Sequence, residues 1–168
     1  MSLFVKCLFL SQNEPMFLGE YEATIDSKSR FLLPAGLKKQ LPEGDNTFVI
    51  SRGFEKCLNI YPQKTWLVIM DRISKLNDFD PKVRQFKLLF LGGATEVELD
   101  SAGRMLLPPS LKEFAGLDKS IILASDVDKI NIWDADKYKQ FFEDFSPEDF
   151  SKLASEVMAE PVKELEKK

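Results

Sequence analysis

Glu20-Tyr21-Glu22-Ala23-Thr24-Ile25 alternates polar and apolar side chains, and so does Glu96-Val97-Glu98-Leu99. Alternation with period two predicts a half-buried strand at each place. Each strand runs into a turn segment: Asp26-Ser27-Lys28-Ser29-Arg30 in one case, Asp100-Ser101-Ala102-Gly103-Arg104 in the other. An aspartate opening a turn accepts hydrogen bonds from backbone amides two residues ahead, and Gly103 suits a positive φ. The Arg-x-Leu-Leu segments that follow predict a second short strand closing a hairpin on the first. Pro34 and Pro108 then fit the first turn of a helix, where a missing N–H does no harm. Leu37 with Leu41, and Leu111 with Phe114 or Ala115, carry helical spacing. A further hairpin is predicted from Thr47–Ile50 and Cys57–Tyr61, and its equivalent from Ser120–Leu123 and Ile130–Trp133.

The two patterns are one pattern used twice. Asp26 to Pro34 returns as Asp100 to Pro108, 74 positions on, and the same offset pairs Gly19 with Gly93, Glu22 with Glu96, Leu37 with Leu111 and Lys38 with Lys112. Such self-similarity marks a duplicated supersecondary unit. Each repeat core is about 45 residues long, near the size at which a lone core fails to offset chain entropy. The copies are therefore expected to share a core, and to bury more surface by self-association. Duplicated charged turns point to a symmetric binding surface rather than one catalytic pocket.

Between the repeats, Trp66, Ile69, Met70, Ile73 and Leu76 form one helical stripe, and Val83, Phe86, Leu89 and Phe90 another, broken at Asn77–Pro81. After the second repeat, Tyr138, Phe141 and Phe142 predict a helix. Ser146-Pro147-Glu148-Asp149 then supplies an N-cap, a proline at the first helical position and an acid at the third, launching a last helix through Phe150, Leu153 and Val157. Met1 to Pro15 has no counterpart in the second copy, and is read as a disordered or non-native extension. Lys163 to Lys168 reads as a frayed tail.

Composition narrows the chemistry. With no histidine in the chain, Ser-His and Cys-His nucleophile systems and the usual zinc sites are excluded. Cys7 and Cys57 offer neither a disulfide framework nor a metal-ligand pair. The acidic residues look like solvated faces, so neither an enzyme nor a small-molecule substrate, metal or cofactor is expected. No apolar run is long enough to cross a bilayer, and Leu3 to Leu10 lacks the flanks of an export signal; a cytoplasmic protein is expected. Residues 134–168 hold ten acidic and six basic residues, which accounts for the whole net charge of −4. Met16 to Trp66 carries seven basic and six acidic residues, against four and seven for Gly93 to Trp133. The first repeat is thus the better placed to face phosphate.

Met16-Phe17-Leu18-Gly19, the Asp-Ser-Lys-x-Arg turn, Leu88-Leu89-Phe90-Leu91-Gly92 and the Asp-Ser-Ala-Gly-Arg turn together resemble the MraZ family from Met16 to about Phe145. The resemblance implies an α+β, mainly β fold: two fused AbrB-like (SpoVT-AbrB) swapped-hairpin modules forming a pseudo-twofold β-barrel with flanking helices. It implies repeat 1 over 16–64, a helical linker over 65–92, repeat 2 over 93–136 and C-terminal helices over 137–168. It also implies a nucleoid-associated transcriptional regulator, a repressor of its own operon in the division and cell-wall gene cluster. Such a regulator binds short promoter repeats in double-stranded DNA as a ring-like homo-oligomer. Carried over by position, the DNA-facing residues are Lys28, Arg30 and Arg104, with Asp26, Ser27, Asp100 and Ser101 orienting the turns. The family usually has Gly where this chain has Ser29. A non-Gly residue at positive φ costs on the order of 1 kcal/mol, so the first turn is expected to be reshaped.

From the residues alone two roles stay open for Arg30 and Arg104. Guanidinium can grip phosphate or guanine O6 and N7, or it can fold back on its own Asp and pin the hairpin. Both hold if the Asp orients the Arg while a free edge faces outward. Lys38 and Lys39 read as a polar helix face, Arg52 as a weaker candidate near a hairpin tip, and Trp66 and Phe86 as core. The competing function is a non-catalytic assembly scaffold that uses the same turns for protein contacts.

Overall fold

The computed structural model describes residues 15–159. The extension expected before Met16 falls, apart from Pro15, outside the described residues, as do Cys7 and the tail from Lys163. The chain forms β1 (Glu20–Thr24), β2 (Arg30–Leu32), the short α1 (Ala35–Lys38), β3 (Thr47–Arg52) and β4 (Leu58–Pro62). After α2 (Gln63–Ser74) and α3 (Pro81–Leu91) the series returns as β5 (Thr95–Glu98), β6 (Arg104–Leu106), α4 (Pro109–Ala115), β7 (Ser120–Asp126) and β8 (Lys129–Asp134). The last described elements are α5 (Ala135–Glu143) and α6 (Pro147–Met158).

All strand pairs are antiparallel. Six strands make one sheet in the order β1-β7-β8-β4-β3-β5, and β2 pairs with β6 in a separate ribbon. The repeats interleave: β1 pairs with β7 of the second copy, and β5 with β3 of the first. Exchanging every strand for its repeat counterpart reverses the order and leaves each pairing in place, with Asn59 facing Asn131 at the centre.

Two expectations need correction. The six strands form an open sheet with β1 and β5 at its edges, not a closed barrel. Nor does β2 close a hairpin against β1; it pairs with its own counterpart, placing Phe31 opposite Met105. The reason is local. Past Ile25, the Asp26 amide and carboxylate are spent inside the turn. The emerging strand then meets β6 and buries Phe31 and Leu33 beside Met105 and Leu107. Fully burying each such side chain stabilises the fold by about 1.5–3 kcal/mol. One core cluster accordingly draws on both repeats, including Leu37, Ile50 and Ile60 from the first and Leu111, Leu123 and Ile132 from the second.

The helices between the repeats cover the opposite face of β3 and β4. Val49 and Tyr61 point away from the shared core and join Trp66, Ile73 and Phe90 in a second cluster, with Phe86 at its margin. Trp66 stacks on Phe90 at 5.6 Å between ring centroids. Trp66 and Phe86 are thus packing residues, as their helical spacing predicts. Asp80 caps α3 by accepting a hydrogen bond from the Lys82 amide at 2.9 Å, with Pro81 in the first turn. Pro34 and Pro108 stand one residue earlier than expected, as extended N-caps, and Pro109 takes the first position of α4. Contacts group the chain to Ala135 as one compact unit and the remainder from Asp136 as another. Within the second, Tyr138, Phe141, Phe142 and Phe145 make ring contacts, and Ser146 and Asp149 form the reciprocal capping box that starts α6. Among the described residues no helix is long and apolar enough to cross a membrane.

The first turn is not reshaped. Ser29 adopts φ 59°, the left-handed conformation that Gly103 takes at φ 78° in the second turn. Because a Cβ at Gly103 would meet only the tip of the Lys38 side chain, 3.4 Å away, and Leu32 Cδ1, the cost of substitution there is backbone strain. Gly103→Ala should destabilise the protein by about 1–2 kcal/mol, measured as a lower urea midpoint at unchanged m-value.

Candidate nucleic-acid interface

The two Asp-x-x-x-Arg turns are built alike, atom for atom. Asp26 Oδ1 accepts from the Lys28 and Arg30 amides, both at 2.9 Å, and Oδ2 accepts from Arg30 Nε at 2.9 Å. Asp100 Oδ1 accepts from the Ala102 and Arg104 amides, both at 2.9 Å, and Oδ2 from Arg104 Nε at 2.8 Å. Backbone bonds close each loop: the Asp26 amide donates to Arg30 O at 2.7 Å and the Asp100 amide to Arg104 O at 2.9 Å. One carboxylate therefore fixes both the backbone of the turn and the guanidinium that leaves it. Ser27 and Ser101 are exposed, and among the described residues neither hydroxyl is hydrogen-bonded, so Asp alone shapes the loop.

The turns are tied together across the ribbon. The Leu33 amide donates to Gly103 O at 3.0 Å, and the Leu107 amide to Ser29 O at 2.8 Å. Strand register then sets which side chains share a face. Arg30 faces Leu106 and Arg104 faces Leu32, while Phe31 and Met105 alternate to the buried side. Arg30 and Arg104 are diagonal neighbours on that face, positions that lie roughly 7–8 Å apart in an antiparallel pair. Between them Leu32 and Leu106 remain 58% and 54% exposed. The Arg30 and Arg104 side chains are 26% and 38% exposed. Of the two roles weighed from the sequence, the fold-back onto Asp is present in both turns. Each Arg is braced by its Asp through Nε, with Arg30 Nη2 adding a 2.9 Å contact. The remaining guanidinium N–H groups have no acceptor among the described residues.

The surroundings add charge and apolar area, of which the sequence reading singles out Lys28 as DNA-facing but not Lys112, Leu32 or Leu106. Lys28 is exposed at the tip of the first turn. The Lys38 ammonium of α1 lies against Gly103 of the second turn, and Lys112 of α4 lines a shallow depression with Asp26 and Ser27 of the first. Their 74-residue spacing was visible, but nothing in the sequence said that each helix would reach the other repeat's turn. Leu32 and Leu106 could have been found from period-two alternation once Phe31 and Met105 were taken as core. Arg52 is drawn off instead: its Nη1 donates to Leu89 O at 3.1 Å and its guanidinium lies 5.5 Å from the Phe114 ring centre. Burial pushes the Cys57 thiol up to about 11, which leaves it unreactive at neutral pH. Among the described residues no cluster of His, Cys, Asp or Glu could hold a metal ion.

Comparison with known proteins agrees with this architecture. The family model for MraZ protein (antitoxin-like) matches the chain twice in tandem, over residues 16–89 and 90–159. A transcriptional regulator MraZ from Christiangramia forsetii is 46% identical over 143 residues, spanning 84% of this chain and 92% of that protein. A namesake from Flavobacterium psychrophilum is 43% identical over 84% of the chain and 90% of its own length, and one from Clostridium beijerinckii 37% over 84% and 96%. The chain belongs to the MraZ family.

The hydrogen bond from the Arg30 amide is the largest influence holding the Asp26 carboxyl below its ordinary range, partial desolvation opposing it and the Arg30 guanidinium assisting. The Arg104 amide does the same for Asp100. A carboxyl whose folded pKa is depressed adds stability above its unfolded pKa, and that contribution is lost as pH falls through the folded value. Unfolding midpoints of the wild type should fall from about pH 4 downward. The Asp26→Asn/Asp100→Asn variant should show a flatter acid limb, and an identical limb would mean that these carboxylates carry no such linkage.

Proposed function

We propose that this chain is a sequence-specific DNA-binding transcriptional regulator that reads short promoter repeats in double-stranded DNA through its Asp-x-x-x-Arg turns. The observation that carries the reading is the pair of arginines at diagonal positions on one ribbon face, each oriented by a carboxylate while keeping guanidinium N–H groups free. Such donors fit phosphate oxygens, or the O6 and N7 of guanine in a major groove. The name carried by the relatives, that of a regulator and not of an enzyme, supports the same reading. The chain is two fused AbrB-like swapped-hairpin modules related by a pseudo-twofold, a view supported by the palindromic strand order.

A subunit of this kind binds weakly alone. Affinity grows with the phosphates neutralised, and each Arg is already half-compensated by its Asp. Self-association as a ring multiplies the turns presented to successive DNA repeats and raises their effective concentration. Exposed Leu67, Val68, Leu88 and Leu89 on α2 and α3, and Phe150, Leu153 and Val157 on α6, favour such assembly. The protein acts in the cytoplasm at the nucleoid, as a repressor of the division and cell-wall gene cluster that includes its own operon. The same apolar residues would serve a pure scaffold, which differs in ignoring DNA.

A gel-shift titration on the DNA upstream of the gene tests the reading. Arg30→Ala with Arg104→Ala should weaken binding by about tenfold or more and flatten its salt dependence, since one base contact is worth about 1–3 kcal/mol. Unchanged affinity and salt slope in a folded variant would overturn the site; a wild type that assembles but never shifts the DNA would support the scaffold.

A further inference from the structure

We propose that each DNA-reading edge is composite, one repeat supplying the turn and the other the lysine that grips phosphate beside it: Lys38 serves the Asp100–Arg104 turn and Lys112 the Asp26–Arg30 turn. This rests on the DNA-binding reading above and names two further contact residues for it.

The placement is reciprocal. A Cβ built on Gly103 would lie 3.4 Å from Lys38 Nζ, so the ammonium sits at the tip of the second turn. Lys112 borders one surface depression together with Thr24, Ile25, Asp26 and Ser27. Lys38 borders its counterpart with Leu99, Lys39, Glu43, Asp45 and Asn46, where Lys39 and Glu43 offset one another in sign. The interleaving of the sheet explains why: β2 and β6 pair with each other, so the helix that follows each strand lands beside the opposite loop.

Charge balance leaves these lysines available, and their place beside the turns sets them apart from other unpaired lysines such as Lys39 and Lys82. Asp26 and Asp100 are taken by Arg30 and Arg104, so each turn is close to neutral apart from its lysines. Asp45, beside Lys38, faces Lys64 at 3.9 Å. Lys75, Lys87 and Lys129 each pair with a carboxylate, whereas Lys38 and Lys112 form no salt bridge among the described residues. Asp118 and Lys119 border the first depression and cancel one another in sign. An unpaired ammonium at each turn is what a phosphate contact needs. The turns still differ by one lysine, since the first carries Lys28 and the second has Ala102 at that place. Lys38 nonetheless gives the second turn a cation, so both repeats can engage DNA.

The test is fluorescence anisotropy with a duplex carrying the region upstream of the gene, titrated at several salt concentrations. Lys38→Gln and Lys112→Gln should each flatten the slope of log K against log salt by about 1 for every subunit engaged. Lys38→Arg should keep the slope, and Lys75→Gln on α2 should leave it unchanged. Circular dichroism confirms that each variant is folded. If the wild type binds and Arg30→Ala weakens it, yet both glutamine variants bind as the wild type or no differently from Lys75→Gln, the composite edge is overturned while the DNA-binding reading stands. A wild type that fails to bind the duplex overturns both.

Discussion

Two backbone hydrogen bonds crossing between the repeats, Leu33 to Gly103 O and Leu107 to Ser29 O, decide how this protein is organised. They join the tip of each turn to the strand of the other copy, so neither loop can be placed without its partner. The ribbon they close, three residues on each side, owes its position to Phe31 and Met105, which enter the shared core from its underside. Apolar burial fixes one face of the ribbon and leaves the other to present Arg30, Leu32, Arg104 and Leu106. The proposed DNA-facing surface therefore follows from the same alternation that builds the core.

The electrostatics of that surface are economical. An aspartate in each turn satisfies two amides and braces a guanidinium, which removes the turn's flexibility and also most of its net charge. Orientation is gained at the expense of attraction. On the proposed reading a lone module binds a polyanion weakly, and lysines beside the turns such as Lys28, Lys38 and Lys112 supply the attraction that remains. Within the chain repetition supplies two turns, and the proposed self-association would multiply them among chains. The apolar residues left uncovered on α2 and α3 fit the second level, while the excess of negative charge is confined to residues 134–168, away in sequence from both turns.

Much of this was legible in the chain. The duplicated nonapeptide marked both turns, period-two alternation located β1 and β5, and Asp80-Pro81 and Ser146-Pro147 gave the starts of α3 and α6. What the sequence could not carry was partnership. Arg-x-Leu-Leu looks like the return arm of a local hairpin because short-range pairing is the usual outcome for strands joined by a tight turn. Here the aspartate consumes the turn's hydrogen bonds internally, and the strand finds its counterpart 74 residues away. That long-range choice also moved Lys38 and Lys112 from ordinary helix faces to the margins of the opposite turns. Ser29 shows the limit of residue-type reasoning: a residue that disfavours the left-handed region adopts it, because the hydrogen bonds through Asp26, Lys28, Arg30 and Leu107 hold the turn around it.

Hydrogen–deuterium exchange of the full chain, with and without the duplex from upstream of the gene, tests the central claim most directly. If the ribbon holds both turns to one DNA-facing edge, peptides covering residues 26–33 and 100–107 gain protection together and at the same DNA stoichiometry. Protection confined to one turn, or centred on α2 and α3 with both turns unaffected, would contradict it.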